Sequence, residues 1–294
     1  MRASLIALVV LTSIARAEAQ SPQSPSAVAQ QKLDSSDPAL VGEGMAELGA
    51  IGGDAAALAI ANRLKRGLPP QLTEAAVTTL HGLMRPNAAP VLIELRYHRH
   101  ASVRAAALAT LGELKLRSAS AFAALQAGLD DPSPEVRSAA LQGLVALGDA
   151  RALPLMFRAA KCGMPGSWEA IGQIATPADF KHLLGQAADG DVSPLRPALD
   201  ALVARPSLAL DAKLKLIQEL GKLDSVSAHA YLSQWLATAR ADAPARVRSA
   251  LVDTLHKLDA AMAAKTAQDA ARASAASSGE PSVAKLNPGE GPSR

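Results

Sequence analysis

Six histidines, one cysteine and seven aromatic residues are the side chains of this 294-residue sequence best suited to catalysis or recognition. Three of them fall together in Glu94-Leu95-Arg96-Tyr97-His98-Arg99-His100. Glu94 and His98 are i,i+4 neighbours and on a helix would share a face, a sparse beginning for a metal site. Arg96 and Arg99 offer planar donor forks that match carboxylates or phosphates. Tyr97 adds a rigid contact surface, and His100 lies beyond, in a predicted turn. The plainer reading is a solvated helix end with cations near its negative pole. Arg96, Tyr97, His98, Arg99 and His100 therefore stand as a candidate partner-binding patch. Tyr231 and Trp235, also i,i+4, are a second candidate, because Tyr and Trp are enriched at binding hot spots; core packing is the competing reading. Trp168 is read as covering the core at an irregular connection. His81, His182, His229 and His256 are isolated in sequence. Cys162 has no neighbouring histidine or cation cluster to depress its pKa, and reads as a structural thiol.

Catalytic signatures are missing around these residues. A phosphate-binding loop needs GxxxxGK[ST], and Gly221-Lys222 lacks both the upstream glycine and the following hydroxyl. A nucleophile elbow needs GxSxG, which Gly166-Ser167-Trp168 does not supply. One cysteine excludes an intrachain disulfide and a cysteine-rich zinc site. The net charge of +3 comes from 30 basic and 27 acidic residues with no long Lys/Arg block, so the electrostatic footprint of a nucleic-acid binder is missing. The expectation is a non-enzyme with no cofactor, no metal and no nucleic-acid partner.

The elements that must position these residues are helices. Alanine (65) and leucine (42) make up over a third of the chain, and both lose little freedom in a helix. Strands would call for β-branched and aromatic residues, and only 2% of this chain is aromatic. A pair of aliphatic residues three apart recurs as Leu48/Ile51, Leu80/Leu83, Leu111/Leu114 and Leu144/Leu147, at steps of 32, 31 and 33 residues. Further copies follow at Ile171/Ile174, Ile217/Leu220 and Leu255/Leu258. In most copies a breaker comes next, such as Gly52-Gly53 or Gly148-Asp149. One unit is therefore helix, tight turn, helix. Such a pair cannot bury its apolar face alone and must stack on neighbours, with alanine expected where helices cross. Arg104, Arg137 and Arg248 recur in Val-Arg-Ala/Ser contexts; a repeated arginine of this kind can bond carbonyls or an aspartate of the next repeat, forming a ladder.

These residues carry a family resemblance. DDPSPEVRSAALQGLVALGDARALPLM (130–156) and ASVRAAALATLGELK (101–115) resemble HEAT repeats of the bacterial type similar to phycobilisome-lyase HEAT-like repeats. The resemblance is specific over residues 101–160, moderate over 37–100, and departs over 162–240, where the step shortens to 27 and then lengthens to 46 residues. An extra helix from Pro194 to Ala204 is expected inside the long step. The resemblance implies an all-α fold, an α-solenoid of about six or seven HEAT-like helix pairs whose second helices line a concave surface. Some HEAT-repeat enzymes bind iron through His-Glu pairs, but no histidine here is followed by glutamate.

The ends read differently. Arg2, the mostly apolar stretch Ala3–Ile14 and the small residues around Ala17 and Ala19 fit a cleaved signal peptide over residues 1–19; the apolar run is short of the roughly 20 residues of a membrane span. Residues 20–36 are Ser-, Pro- and Gln-rich and read as a flexible spacer. The solenoid is placed at 37–272, and residues 273–294 read as a disordered tail. Together these features predict a periplasmic or secreted interaction module that binds a protein or peptide partner and is not integral to the membrane after cleavage. Two alternatives stay open: a bilin-lyase-like chromophore-binding enzyme, which the resemblance suggests and a signal peptide disfavours, and a structural accessory of an envelope complex.

Overall fold

A computed structural model describes residues 24–239 and 244–277. The segment read as a signal peptide lies outside the described residues. The described residues contain α-helices and short 3-10 turns and no strand. They form two compact units that divide after Ile174, where the repeat step shortens. The helices are α1 (Pro25–Leu33), α2 (Pro38–Ile51), α3 (Gly53–Lys65), α4 (Pro70–Leu83), α5 (Ala89–Leu95), α6 (Ala101–Glu113), α7 (Ala119–Gly128), α8 (Pro134–Leu147), α9 (Ala152–Lys161) and α10 (Ser167–Ile174) in the first unit. The second unit holds α11 (Phe180–Leu184), α12 (Arg196–Ala204), α13 (Leu210–Gly221), α14 (Val226–Thr238) and α15 (Ala245–Ser277).

The first unit is an all-α solenoid. First helices α2, α4, α6, α8 and α10 each pack on the next, and second helices α3, α5 and α7 pack in turn beside them. Local chemistry sets the boundaries. Asp37 and Ser118 accept from Ala39 N and Ala121 N at the starts of α2 and α7, satisfying donors that the helix itself leaves free. Gly148 ends α8 in the left-handed region, at φ +62°, which costs glycine nothing. The first members of the aliphatic pairs, from Leu48 to Leu255, are buried. The second members vary: Leu147 is buried, whereas Ile51, the last residue of α2, is exposed, because the helix ends there and nothing covers its final turn.

At the crossing of α6 and α8 glycine makes the close approach. A Cβ on Gly112 of α6 would stand 2.2 Å from Gly143 Cα and 2.7 Å from its carbonyl oxygen on α8. The same device docks α1, which corrects, over Pro25–Leu33, the reading of residues 20–36 as a spacer. Ala29 and Leu33 are buried, and a Cβ on Gly44 of α2 would stand 2.5 Å from Leu33 N. Lys32 bonds Glu47 and Glu43 at 2.5 and 3.2 Å, and Arg63 Nε donates to Leu33 O at 3.1 Å. Polar composition did not prevent a helix here, because two apolar residues on one face sufficed once a glycine let the backbones meet.

The recurring arginines are the fourth residues of α6, α8 and α15, each following a buried valine. Arg104 donates Nη1 to His98 O and Arg99 O at 2.8 and 3.2 Å. Its Nε and Nη2 grip both oxygens of Asp131, one repeat on, at 2.8 Å each. Both side chains are 13% exposed. The guanidinium, helped by the Ser133 amide, holds the Asp131 carboxyl below its ordinary value of 3.8. The stability this pair contributes is present above that value and is lost as pH falls through the lowered one. Asp131→Ala is expected to cost about 2 kcal/mol, between exposed and fully buried pairs. Urea midpoints at pH 7 and pH 3 check it: the gap between variant and wild type should narrow in acid.

In the second unit α11 brings the fully buried Phe180 against the face of α13, and α13 packs on α14 and α15. Val247, Leu251, Leu255 and Leu258 form the buried stripe of α15. α12 matches the extra helix expected from Pro194 to Ala204, preceded by a 3-10 turn at Ser193–Leu195. The region read as a disordered tail from residue 273 begins inside α15, which runs on to Ser277, because its alanine-rich sequence favours helix without tertiary contacts.

Candidate functional site

Two surfaces gather the residues singled out by type. The first is the connection after α5. That helix stops at Leu95, and the backbone turns through Tyr97 and His98, whose amides donate to Glu94 O and Leu95 O. Glu94 and His98 therefore do not share a helical face, which removes the expected carboxylate–imidazole pairing. Tyr97 is 76% exposed, with the Arg96 guanidinium 4.3 Å over its ring. The His98 and His100 rings lie 5.4 Å apart, and Arg99 Nε reaches His100 Nε2 at 3.0 Å. Burial, followed by the proximity of His100, lowers the His98 pKa. The five residues make one basic and aromatic surface, with an exposed phenol at its centre.

The second surface is a groove of about 160 Å³ between α12 and α14. Asp200, Val203 and Ala204 line one side; Tyr231, Gln234, Trp235 and Thr238 line the other. Tyr231 is only 7% exposed. Burial, and the Asp200 carboxylate to which it is hydrogen-bonded, push its hydroxyl far above the ordinary phenol range. It therefore stays protonated and donates. Arg196 stands at the rim, 3.7 Å from Asp200 and bonded to Gln234. Trp235 is half-buried and presents the rest of its indole to the groove.

Trp168 has a packing role. It meets Phe157 edge-on, with ring centroids 6.2 Å apart, as expected for a residue covering the core. Cys162 is exposed and not a core thiol, because it caps the C-terminal end of α9 in an inter-repeat connection. Among the described residues no group of three or more His, Cys, Asp or Glu side chains is placed to hold a metal ion. Among them too, no helix is long and apolar enough to cross a membrane.

Residues 88–162, which carry the basic-aromatic surface and the Arg104–Asp131 pair, match the family model for HEAT repeats. These are HEAT repeats. No curated protein matches the chain. Among solved structures it is similar to the complex of CpcE and CpcF of phycocyanin lyase from Nostoc sp. PCC7120, at 22% identity and a TM-score of 0.44, over 82% of this chain and 97% of that one.

Outside the matched HEAT repeats, Asp200 and the rest of the α12 wall were not legible as site residues. A signal was present. Asp200 precedes Tyr231 by 31 residues and Ala204 precedes Trp235 by 31, the repeat step of the regular half. That step relates the residues of one wall to those of the other.

Proposed function

We propose that the protein is an exported, non-catalytic interaction module that binds a protein or peptide partner on its helical-repeat surface. The observation that carries this reading is Trp235, standing in an open groove beside the buried Tyr231 phenol and the Asp200 carboxylate. An indole face with a carboxylate beside it suits an extended partner segment that offers polar or cationic side chains. The groove supports recognition better than catalysis: a phenol held protonated is neither base nor nucleophile at neutral pH. The exposed basic-aromatic surface of Arg96, Tyr97, His98, Arg99 and His100 offers a second, separate contact. Helical-repeat arrays present extended surfaces rather than deep pockets, and the step from that fold to binding is one of analogy. Export rests on Arg2, the apolar Ala3–Ile14 stretch and the small residues that follow.

The test places a photocrosslinking residue at Thr238, on the exposed rim of the groove, in intact cells. One discrete crosslinked partner is expected in the periplasmic fraction or medium. Trp235→Ala should reduce its yield about tenfold, as for a hot-spot aromatic, with far-UV dichroism unchanged. Equal crosslinking by Trp235→Ala would remove the groove from the interface. The mass of the recovered chain tests export separately. A chain that begins after Ala17 or Ala19 is expected, and an intact N-terminus in the cytosol would overturn it.

A further inference from the structure

Arg104 and Arg137 occupy the same place in successive first helices, 33 residues apart. Both guanidinium groups are anchored alike. Arg137 Nη1 donates to Asp131 O and Pro132 O at 2.9 Å each, as Arg104 Nη1 does to His98 O and Arg99 O. For Arg104, the remaining edge holds the carboxylate of Asp131. The position 33 residues after Asp131 is Met164, and each is followed by proline. A thioether cannot accept two charge-assisted bonds. Among the described residues, Nε and Nη2 of Arg137 have no acceptor.

Arg137 instead lines a cleft of about 430 Å³ together with Asp130, Arg158, Cys162, Met164 and Pro165. Charge in the cleft favours an anion. Asp130 is engaged by Arg158 at 3.2 Å to each oxygen. Asp131, also at the cleft, is engaged by Arg104 and by Ser133 N. Arg104 reaches Asp131 from outside the lining of the cleft, so three guanidinium groups stand against two carboxylates, and Arg137, which also acts on Asp131 at longer range, keeps an edge of its fork unused. We propose that this cleft is a carboxylate-binding site in which Arg137 supplies the bidentate fork. The ligand group occupies the place relative to Arg137 that Asp131 occupies relative to Arg104. Carboxylate is favoured over phosphate because the chain's own copy of this fork, one repeat earlier, is filled by a carboxylate. The site uses different residues from the α12–α14 groove and stands or falls independently of it.

Cys162 is the sole cysteine of the chain and lies on this cleft, so its alkylation by an uncharged reagent reports occupancy. The full chain is titrated at constant ionic strength with sodium acetate, with inorganic phosphate, and with a blocked alanine peptide containing one glutamate or one glutamine. The glutamate peptide is expected to slow alkylation and the glutamine peptide to leave it unchanged. Arg137→Gln should weaken the protection at least about tenfold, the loss of a charge-assisted pair. Because Arg137 also ties down the loop before α8, Met164→Asp is the second variant. It supplies the carboxylate within the chain, and is expected to abolish protection while raising the melting temperature. Protection by the peptide alone assigns a partner's acidic side chain, and equal protection by acetate assigns a small free carboxylate. Equal protection by the glutamine peptide, by phosphate but not acetate, or undiminished in both variants overturns the proposal.

Discussion

Gly112→Ala and Gly82→Ala are expected to move stability in opposite directions, though both replace a helical glycine in a first helix. Intrinsic preference favours alanine at both by about 0.5–1 kcal/mol. At Gly82 nothing stands within 4 Å of the added Cβ, so the gain should appear in full. At Gly112 the Cβ would meet Gly143 Cα at 2.2 Å and its carbonyl oxygen at 2.7 Å. These are backbone atoms of α8, which cannot rotate away as a side chain could. α6 and α8 must separate, and the neighbours at that crossing must give way with them. A Cβ on Gly143 would itself meet Leu125 Cδ2 at 2.5 Å and Leu108 O at 3.1 Å. Overpacking of this kind costs about 1–3 kcal/mol and occasionally more, enough to outweigh the preference. Urea midpoints of the two variants check the sign. Hydrogen exchange should localise the Gly112→Ala loss to α6, α7 and α8. A Gly112→Ala protein as stable as wild type would mean that the two backbones do not approach so closely.

That crossing also shows where the sequence was informative and where it was not. The period was legible because each first helix buries a leucine or isoleucine at the same place, from Leu48 to Leu144. One rung of the ladder was legible from the recurring Val-Arg: the structure places Arg104 on Asp131, whereas Arg137 bonds only carbonyls. α1 was not, because what seats it is a missing Cβ on Gly44, in a different helix. A glycine inside a helix reads locally as a weakness, and only the partner helix reveals its use. Of the candidate residues, Tyr231 and Trp235 share a groove, whereas Glu94 and His98 are separated by a helix end that no local breaker announces. The α12 wall of that groove was hidden because Asp200 lies where the repeat spacing is irregular. The unmatched fork of Arg137 was hidden for the opposite reason. Its helix follows the repeat, and the departure is one residue, Met164, in the loop beyond.

Leu144→Asp is the substitution expected to do the greatest damage. Leu144 is fully buried in α8, at the fourth copy of the aliphatic pair. Losing the leucine side chain alone costs about 2–5 kcal/mol. The carboxylate then needs either a partner or a proton. α8 offers none nearby, since Ala140, Leu141 and Leu147 surround the position on its own buried face. The free arginine fork is seven residues back, at Arg137 in the first turn, beyond reach of a short side chain at about 1.5 Å of rise per residue. Burial of an unpaired charge adds several kcal/mol, or forces the carboxyl to stay protonated. The total, upwards of about 4 kcal/mol, belongs to the exceptional class of single substitutions. In a stacked array each helix pair contacts its neighbours, so α6 and α10 should lose protection with α8. Hydrogen exchange should show that loss, and circular dichroism at 222 nm should lose helical signal by an amount matching those helices. Lowering the pH should restore part of the loss, since the acid form is the one the core tolerates. An unchanged melting curve would place Leu144 outside the core and would shift the register of every repeat counted from it.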